Sequence, residues 1–217
     1  EELHFTHAGV FDIMFATSTR YNERPEASPR PFDAARDGLV VGEGAATLVL
    51  ESYEHAKARG AKIYGEIVGY GTNCDGTHVT RPSAEGMAGA MRLALADARL
   101  EQGDIDYINA HGTATELGDI AESKATAEIF GLETPISSTK SYTGHTLGAC
   151  GAIEAVFSLA AMRDGFIPPT RNLEEVDERC APLNYVKTEP RPAMLDRVAS
   201  SNFAFGGLNT CLIFARA

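Results

Sequence analysis

Apolar positions along this 217-residue chain switch between a period of two and a period near 3.6, and the switches lay out a repeating order of strand, loop and helix. Segment 39–50, LVVGEGAATLVL, is apolar and β-branched, with Gly42 and Gly44 inside it. It reads as a buried strand approached closely by another backbone or a ligand. Ser52 is placed to cap a short helix running to Arg59, and Gly60 to end it. IYGEIVGY (63–70) predicts a strand leading into the loop GTNCDGTHVTRP. Met87, Met91, Leu93, Leu95 and Ala98 then form a broad apolar stripe on a helix over 84–100.

IDYINA (105–110) predicts a short strand that opens into HGTATELGD, followed by a helix over 119–130 that Gly131 stops. PISSTK (135–140) is again a strand entering a glycine-rich loop. Ile153, Val156, Phe157 and Ala160 mark one face of the next helix, whose other faces are Gly, Ala, Cys and Ser, which places it among protein. Beyond Pro168 and Pro169, short strands are expected at LNYV, RVASSN and NTCLIF, the last two joined through FAFGGL. The fold class is therefore α/β, a mixed β-sheet covered by helices. RPEASPRP (24–31) is the expected surface connection.

An apolar content of 44% suffices for a substantial core, in one domain or one half of a two-part enzyme. Nineteen basic against thirty acidic residues give a net charge of −11, which repels nucleic-acid phosphates and anionic lipid headgroups. No apolar run approaches the roughly 20 residues of a bilayer span, and nothing resembles a secretion signal, so no nucleic acid and no membrane partner is expected and the location reads as cytoplasmic. Cys74, Cys150, Cys180 and Cys211 lack ligand spacing and read as reduced thiols. His4, His7, His55 and His78 lack partners at ligand spacing, so no metal site is expected. The sequence begins at Glu1 without a methionine, which leads us to expect an upstream portion.

In α/β sheets binding groups gather where strands end, and three loops qualify: INAHGTATELGD, SSTKSYTGHTLGA and SSNFAFGGLN. They deliver His111, Lys140 and His145. A nearby ammonium disfavours imidazolium, so both rings are expected to be neutral near pH 7 and able to donate an N–H to an oxygen that is gaining negative charge. A nucleotide-binding loop is excluded by order, because Lys140 precedes the glycines and GxxxxGK[ST] does not occur.

HGTxTxxGD, STKxxxGHxxGAxG, NFxFGGxN and RPFDAARDGLVVGEGAATLVLE, in that setting, resemble the C-terminal half of a β-ketoacyl-(acyl carrier protein) synthase, and the resemblance covers nearly the whole chain. It implies the thiolase-like fold, with residues 1–38 connecting from an absent N-terminal half and residues 39–217 forming the C-terminal synthase domain. It also implies a decarboxylative condensation in which a cysteine in the other half carries the acyl chain, and malonyl on acyl carrier protein loses carbon dioxide to give the attacking enolate. On this resemblance His111 and His145 hold the malonyl thioester oxygen, and Lys140 orients the pair with Glu122 as its carboxylate partner. Thr113 and Thr115 bond the pantetheine arm. Phe203 and Phe205 belong to a gating loop that Gly206 and Gly207 allow to swing.

The resemblance further implies no cofactor beyond the phosphopantetheine of acyl carrier protein, that carrier and the N-terminal half as partners, and a homodimer when complete. Arg20 is a candidate for docking the acidic carrier. Two departures stand out. Ala204 and Leu208 replace a common glycine and threonine, so a positive φ at 204 would strain the gate. No cysteine lies in the acyl-accepting motif, and Cys150 stands where relatives have alanine, so this chain alone is expected to be inactive. The alternative is a non-catalytic partner resembling chain-length factors, which tend to lose the three residues retained here. A thiolase would be expected to carry a cysteine where this chain has FAFGG.

Overall fold

The computed structural model describes residues 1–78 and 80–217. Its centre is a six-stranded mixed sheet in the order β1-β8-β7-β2-β3-β5. The strands are β1 (Glu66–Cys74), β2 (Tyr107–Asn109), β3 (Pro135–Ser137), β5 (Asn184–Tyr185), β7 (Arg197–Ala204) and β8 (Leu208–Ala215), while β4 (Phe166–Ile167) and β6 (Arg191–Pro192) pair separately. β1, β8 and β7 are antiparallel neighbours; β7, β2, β3 and β5 run parallel. The helices are α1 (Phe5–Ile13), α2 (Tyr53–Ala58), α3 (Ala84–Ala98), α4 (Glu116–Phe130), the single turn α5 (Lys140–Thr143) and α6 (Cys150–Asp164).

The period-two pattern of the strands separates two cores. Ile108, Ala199, Cys211 and Ile213 point to the side covered by α3 and α4, where they meet Met87, Met91, Ala125 and Ile129. Tyr107, Val198 and Phe214 point to the other side, against Ala155, Ala161 and Met162 of α6. The central parallel strands β2, β3 and β7 are therefore largely buried, and loops begin at their ends.

Helix starts follow the capping residues. The Ser83 hydroxyl accepts the Gly86 N–H at the start of α3, and Ser52 accepts that of His55 at the start of α2. α4 begins at Glu116, three residues before the expected Asp119, because Thr115 is already extended and serves as its N-cap. Strand β1 is displaced toward the C-terminus relative to IYGEIVGY, with a register shift between Ile67 and Gly69.

Three expectations are corrected. Segment 39–50 is extended but forms only isolated bridges, Thr17 to Leu39 and Val41 to His145, with Val49 81% and Leu50 71% exposed. A strand needs a hydrogen-bonded neighbour, and none of the described residues supplies one along this stretch. RPEASPRP is a surface connection only in part: 24–26 are exposed, but Pro29, Arg30 and Pro31 are buried. Likewise, Val156 and Phe157 of α6 remain partly exposed. Among the described residues no helix is long and apolar enough to cross a membrane.

Candidate active site

His111 lies two residues beyond β2, Lys140 three residues beyond β3, and His145 in the same loop as Lys140, ahead of the short 3-10 turn Leu147–Ala149 that leads into α6. The His145 backbone is clamped: its N–H donates to the Val40 carbonyl at 2.7 Å, and its carbonyl accepts from Gly42 at 3.0 Å. The preceding Gly144 has φ +67°, and a Cβ there would lie 2.8 Å from the Val40 oxygen, so only glycine lets the loop turn this close to segment 39–50. The two imidazoles meet edge to face with centroids 5.1 Å apart and planes at 85°, and Phe203 packs against His111 in the same manner at 5.9 Å. Both rings line a cleft of about 800 Å³, together with Cys150, Asn202, Phe203 and Phe205.

The Leu147 N–H donates to Nδ1 of His145 at 3.2 Å. That bond assigns the ring proton of the neutral form to Nε2 and makes Nε2 the donor. Burial is the first cause that pushes both rings toward neutrality, and the Lys140 charge is the second. His145 falls to about 3, and His111 falls well below its ordinary value, helped further by His145 and opposed by the Phe203 backbone. Removal from water, more than the ammonium expected from the sequence, accounts for the neutrality of the rings. Among the described residues, the buried Nδ1 of His111 has no hydrogen-bond partner.

Lys140 is 1% exposed and pairs with Glu154 of α6, not with Glu122. Glu154 lies on α6, which packs in the core on the opposite side of the sheet from α4, the helix that bears Glu122. Glu154 is buried too, and burial raises its pKa while Lys140 and the Asn202 amide pull it back down. Its second oxygen accepts from Nδ2 of Asn202 at 3.1 Å.

Glu122 has a different task. Its two oxygens accept the N–H groups of His111 and Gly112, each at 2.7 Å, and one turn earlier Asp119 accepts the N–H of Ala114 at 3.1 Å. Two carboxylates on one face of α4 thus hold the HGTA backbone, including Ala114 at φ +65°. Burial pushes Glu122 up to about 8, against the pull of those N–H donors, and pushes Asp119 up to about 6, against Arg36. The Ser138 hydroxyl donates to the Gly112 carbonyl at 2.7 Å, so the same loop is also tied to the Lys140 segment.

Thr113 and Thr115 share a hydroxyl hydrogen bond of 2.9 Å at the cleft wall. Phe205 is 43% exposed at the tip of the β7–β8 turn and stacks near Phe11 of α1, with centroids 5.5 Å apart. Ala204 carries none of the expected strain: it is the last residue of β7, paired with Leu208, and the positive φ angles fall on Gly206 (+83°) and Gly207 (+84°). A Cβ at Gly207 would lie 2.3 Å from Oδ1 of Asp75, which sits beneath the turn and receives Nδ2 of Asn209 at 3.0 Å. Cys150 is buried, its thiol pushed up to about 11 by burial, and it donates to Oδ1 of Asn202 at 2.8 Å. Neither Glu154 nor Asn202 was identified from sequence. The available signal was Glu154 itself, the lone charge in CGAIEAVFSLAAM. Among the described residues no group of three or more His, Cys, Asp or Glu side chains is placed to hold a metal ion.

Comparison with known proteins agrees with this geometry. The chain is 49% identical over its full length to 3-oxoacyl-[acyl-carrier-protein] synthase 1 of Haemophilus influenzae, covering 53% of that protein. It superimposes on the crystal structure of a beta-ketoacyl synthase from Burkholderia phymatum STM815 with a TM-score of 0.98 at 61% identity, over all of this chain and 53% of that one. A ketosynthase bound to the hexaketide, in complex with its type II PKS acyl-carrier protein, matches at a TM-score of 0.93 and 35% identity, over all of this chain and 54% of the other. The chain spans about half the length of the curated relatives it matches, and its α/β architecture is that of the thiolase-like ketosynthases. Residues 64–174 match the family of the beta-ketoacyl synthase C-terminal domain, and the chain belongs to the beta-ketoacyl synthases.

Proposed function

We propose that this chain supplies the decarboxylation half-site of a 3-oxoacyl-(acyl carrier protein) synthase acting in fatty acid elongation. One observation carries the reading: two buried imidazoles meet edge to face in a single cleft, and the Leu147 N–H on Nδ1 of His145 leaves its Nε2 as the donor. Donors fixed in a site withdrawn from water stabilise an oxygen as it becomes negative, which is the demand made when a malonyl thioester loses carbon dioxide. The bond from the α-carbon to the carboxylate breaks, its electron pair passes into the thioester enolate, and the thioester oxygen takes the developing charge between His111 and His145. The enolate carbon then attacks an acyl thioester on a cysteine of the other half, and the cysteine leaves as thiolate.

Thr113 and Thr115 bond the phosphopantetheine arm at the cleft wall, and Phe203 and Phe205 close over it on the turn hinged at Gly206 and Gly207. Lys140, held by Glu154, adds its electrostatic effect to the burial that keeps the rings neutral, without touching substrate. Glu122 positions His111 through its backbone. The partners on this reading are acyl carrier protein, an N-terminal half bearing the nucleophile and a second copy of the complete polypeptide. On this reading the chain alone does not condense: burial raises the thiols of Cys150, Cys180 and Cys211, and the exposed Cys74 is not among the residues that line the cleft. Retention of His111, Lys140 and His145 favours this over the non-catalytic chain-length-factor role.

The test is release of carbon dioxide from malonyl carried on acyl carrier protein by the full-length gene product. His111→Ala and His145→Ala are each expected to lower decarboxylation by roughly 10²–10³-fold, the scale of a lost oxyanion donor, while acyl transfer onto cysteine survives. Lost acyl transfer with decarboxylation untouched would overturn the assignment.

A further inference from the structure

Asn202 sits where three parts of the site meet. Its side chain reaches from β7 to α6, receiving the Cys150 thiol hydrogen on Oδ1 at 2.8 Å and donating from Nδ2 to Oε2 of Glu154 at 3.1 Å. The other oxygen of that carboxylate holds Lys140. The next residue in the chain is Phe203, which packs against His111 and opens the turn carrying Phe205. Asn202 and Cys150 both line the cleft.

The two contacts of the amide are complementary. A thiol that donates to Oδ1 leaves Nδ2 facing the carboxylate; the flipped amide would set Oδ1 against Oε2, oxygen against oxygen. The carboxylate and the Cys150 thiol together therefore fix which way Asn202 points, and Asn202 in turn satisfies the second oxygen of the carboxylate. A buried carboxylate with both oxygens satisfied has one orientation, and the ammonium bound to it has one position.

We propose that Asn202, oriented by Cys150, is a positioning residue for decarboxylation: it aims Glu154 at Lys140 and couples that ion pair to the strand bearing the Phe203–Phe205 turn. This rests on the reading of the cleft as a decarboxylation site. It adds a role for two residues that make no demand on substrate contact. Their effect passes through Glu154, so it is absent once Glu154 can no longer act.

The test is a double-mutant cycle in the full-length gene product, comparing wild type, Asn202→Ala, Glu154→Gln and the double variant, with malonyl decarboxylation and acyl loading assayed separately. Asn202→Ala is expected to lower kcat for decarboxylation roughly tenfold, as for loss of a hydrogen bond to a charged group, with KM and acyl loading little changed. Adding it to Glu154→Gln is expected to produce no further loss. Asn202→Ser, which keeps one short donor, is expected to recover part of the rate, and Cys150→Ala to lose less than Asn202→Ala. Wild-type decarboxylation with fully additive losses, or equal losses in decarboxylation and acyl loading, would overturn this inference alone. A wild type that loads acyl groups but does not decarboxylate malonyl would overturn the reading on which it rests.

Discussion

Lys140 and Glu154 form an ion pair that is almost wholly removed from water, across a separation of 14 residues that joins the turn after β3 to α6. Taking two charges out of water is costly, and their mutual attraction offsets this only while both remain. Glu154→Ala leaves a buried ammonium without a counter-charge and is expected to destabilise the fold by about 3–5 kcal/mol. Urea unfolding of the full-length product checks this. A loss below about 1 kcal/mol would mean that the pair is solvated.

Glu122 holds two consecutive peptide N–H groups, so Glu122→Gln replaces one acceptor with a donor facing a donor. The expected cost is about 1–3 kcal/mol, with loss of decarboxylation as the His111 loop loosens. Equal unfolding midpoints and equal turnover for the two proteins would refute it.

The pH dependence of stability has two opposed parts. His145 is depressed from 6.5 to about 3, so its contribution is complete above about pH 6.5 and is lost as pH falls toward 3. Glu122 is raised from 4.5 to about 8, so its contribution is complete below about pH 4.5 and is lost as pH rises through 8. Urea midpoints measured from pH 4 to 9 should show a shallower alkaline decline in Glu122→Gln and a shallower acid decline in His145→Gln. Parallel curves for all three proteins would contradict both assignments.

The glycines of the β7–β8 turn are unequal. Both hold positive φ, but among the described residues a Cβ at Gly206 meets nothing within 4 Å, whereas one at Gly207 strikes Asp75. Gly206→Ala should cost only the left-handed backbone term, roughly 1–2 kcal/mol. Gly207→Ala should cost more and displace the Phe205 turn, seen as a larger rise in KM for carrier-bound malonyl. The reverse order would show that Asp75 does not seat the turn.

Much of this site was legible in the sequence because it lies at strand ends. The loops after β2 and β3 announce themselves by small residues between apolar runs, and parallel strands bring such loops together, so His111, Lys140 and His145 converge as expected. The partner of Lys140 was not legible: Glu122 and Glu154 are both carboxylates on helices flanking the sheet, and only the face on which each helix packs decides between them. Segment 39–50 has the composition of a strand, but composition cannot supply the neighbour a strand needs. The strain expected at Ala204 is absent because the hairpin closes one residue later, on Gly206 and Gly207, a matter of register between β7 and β8.

The central claim is that the rings at 111 and 145 are uncharged hydrogen donors. Histidine-selective ¹⁵N NMR of the full-length gene product tests it most directly. At pH 7 both rings are expected to be neutral, with the His145 proton on Nε2, and His145 is expected to stay so until the pH approaches about 3. Conversion of either ring to imidazolium as pH falls through 6.5, or a His145 proton on Nδ1, would contradict it.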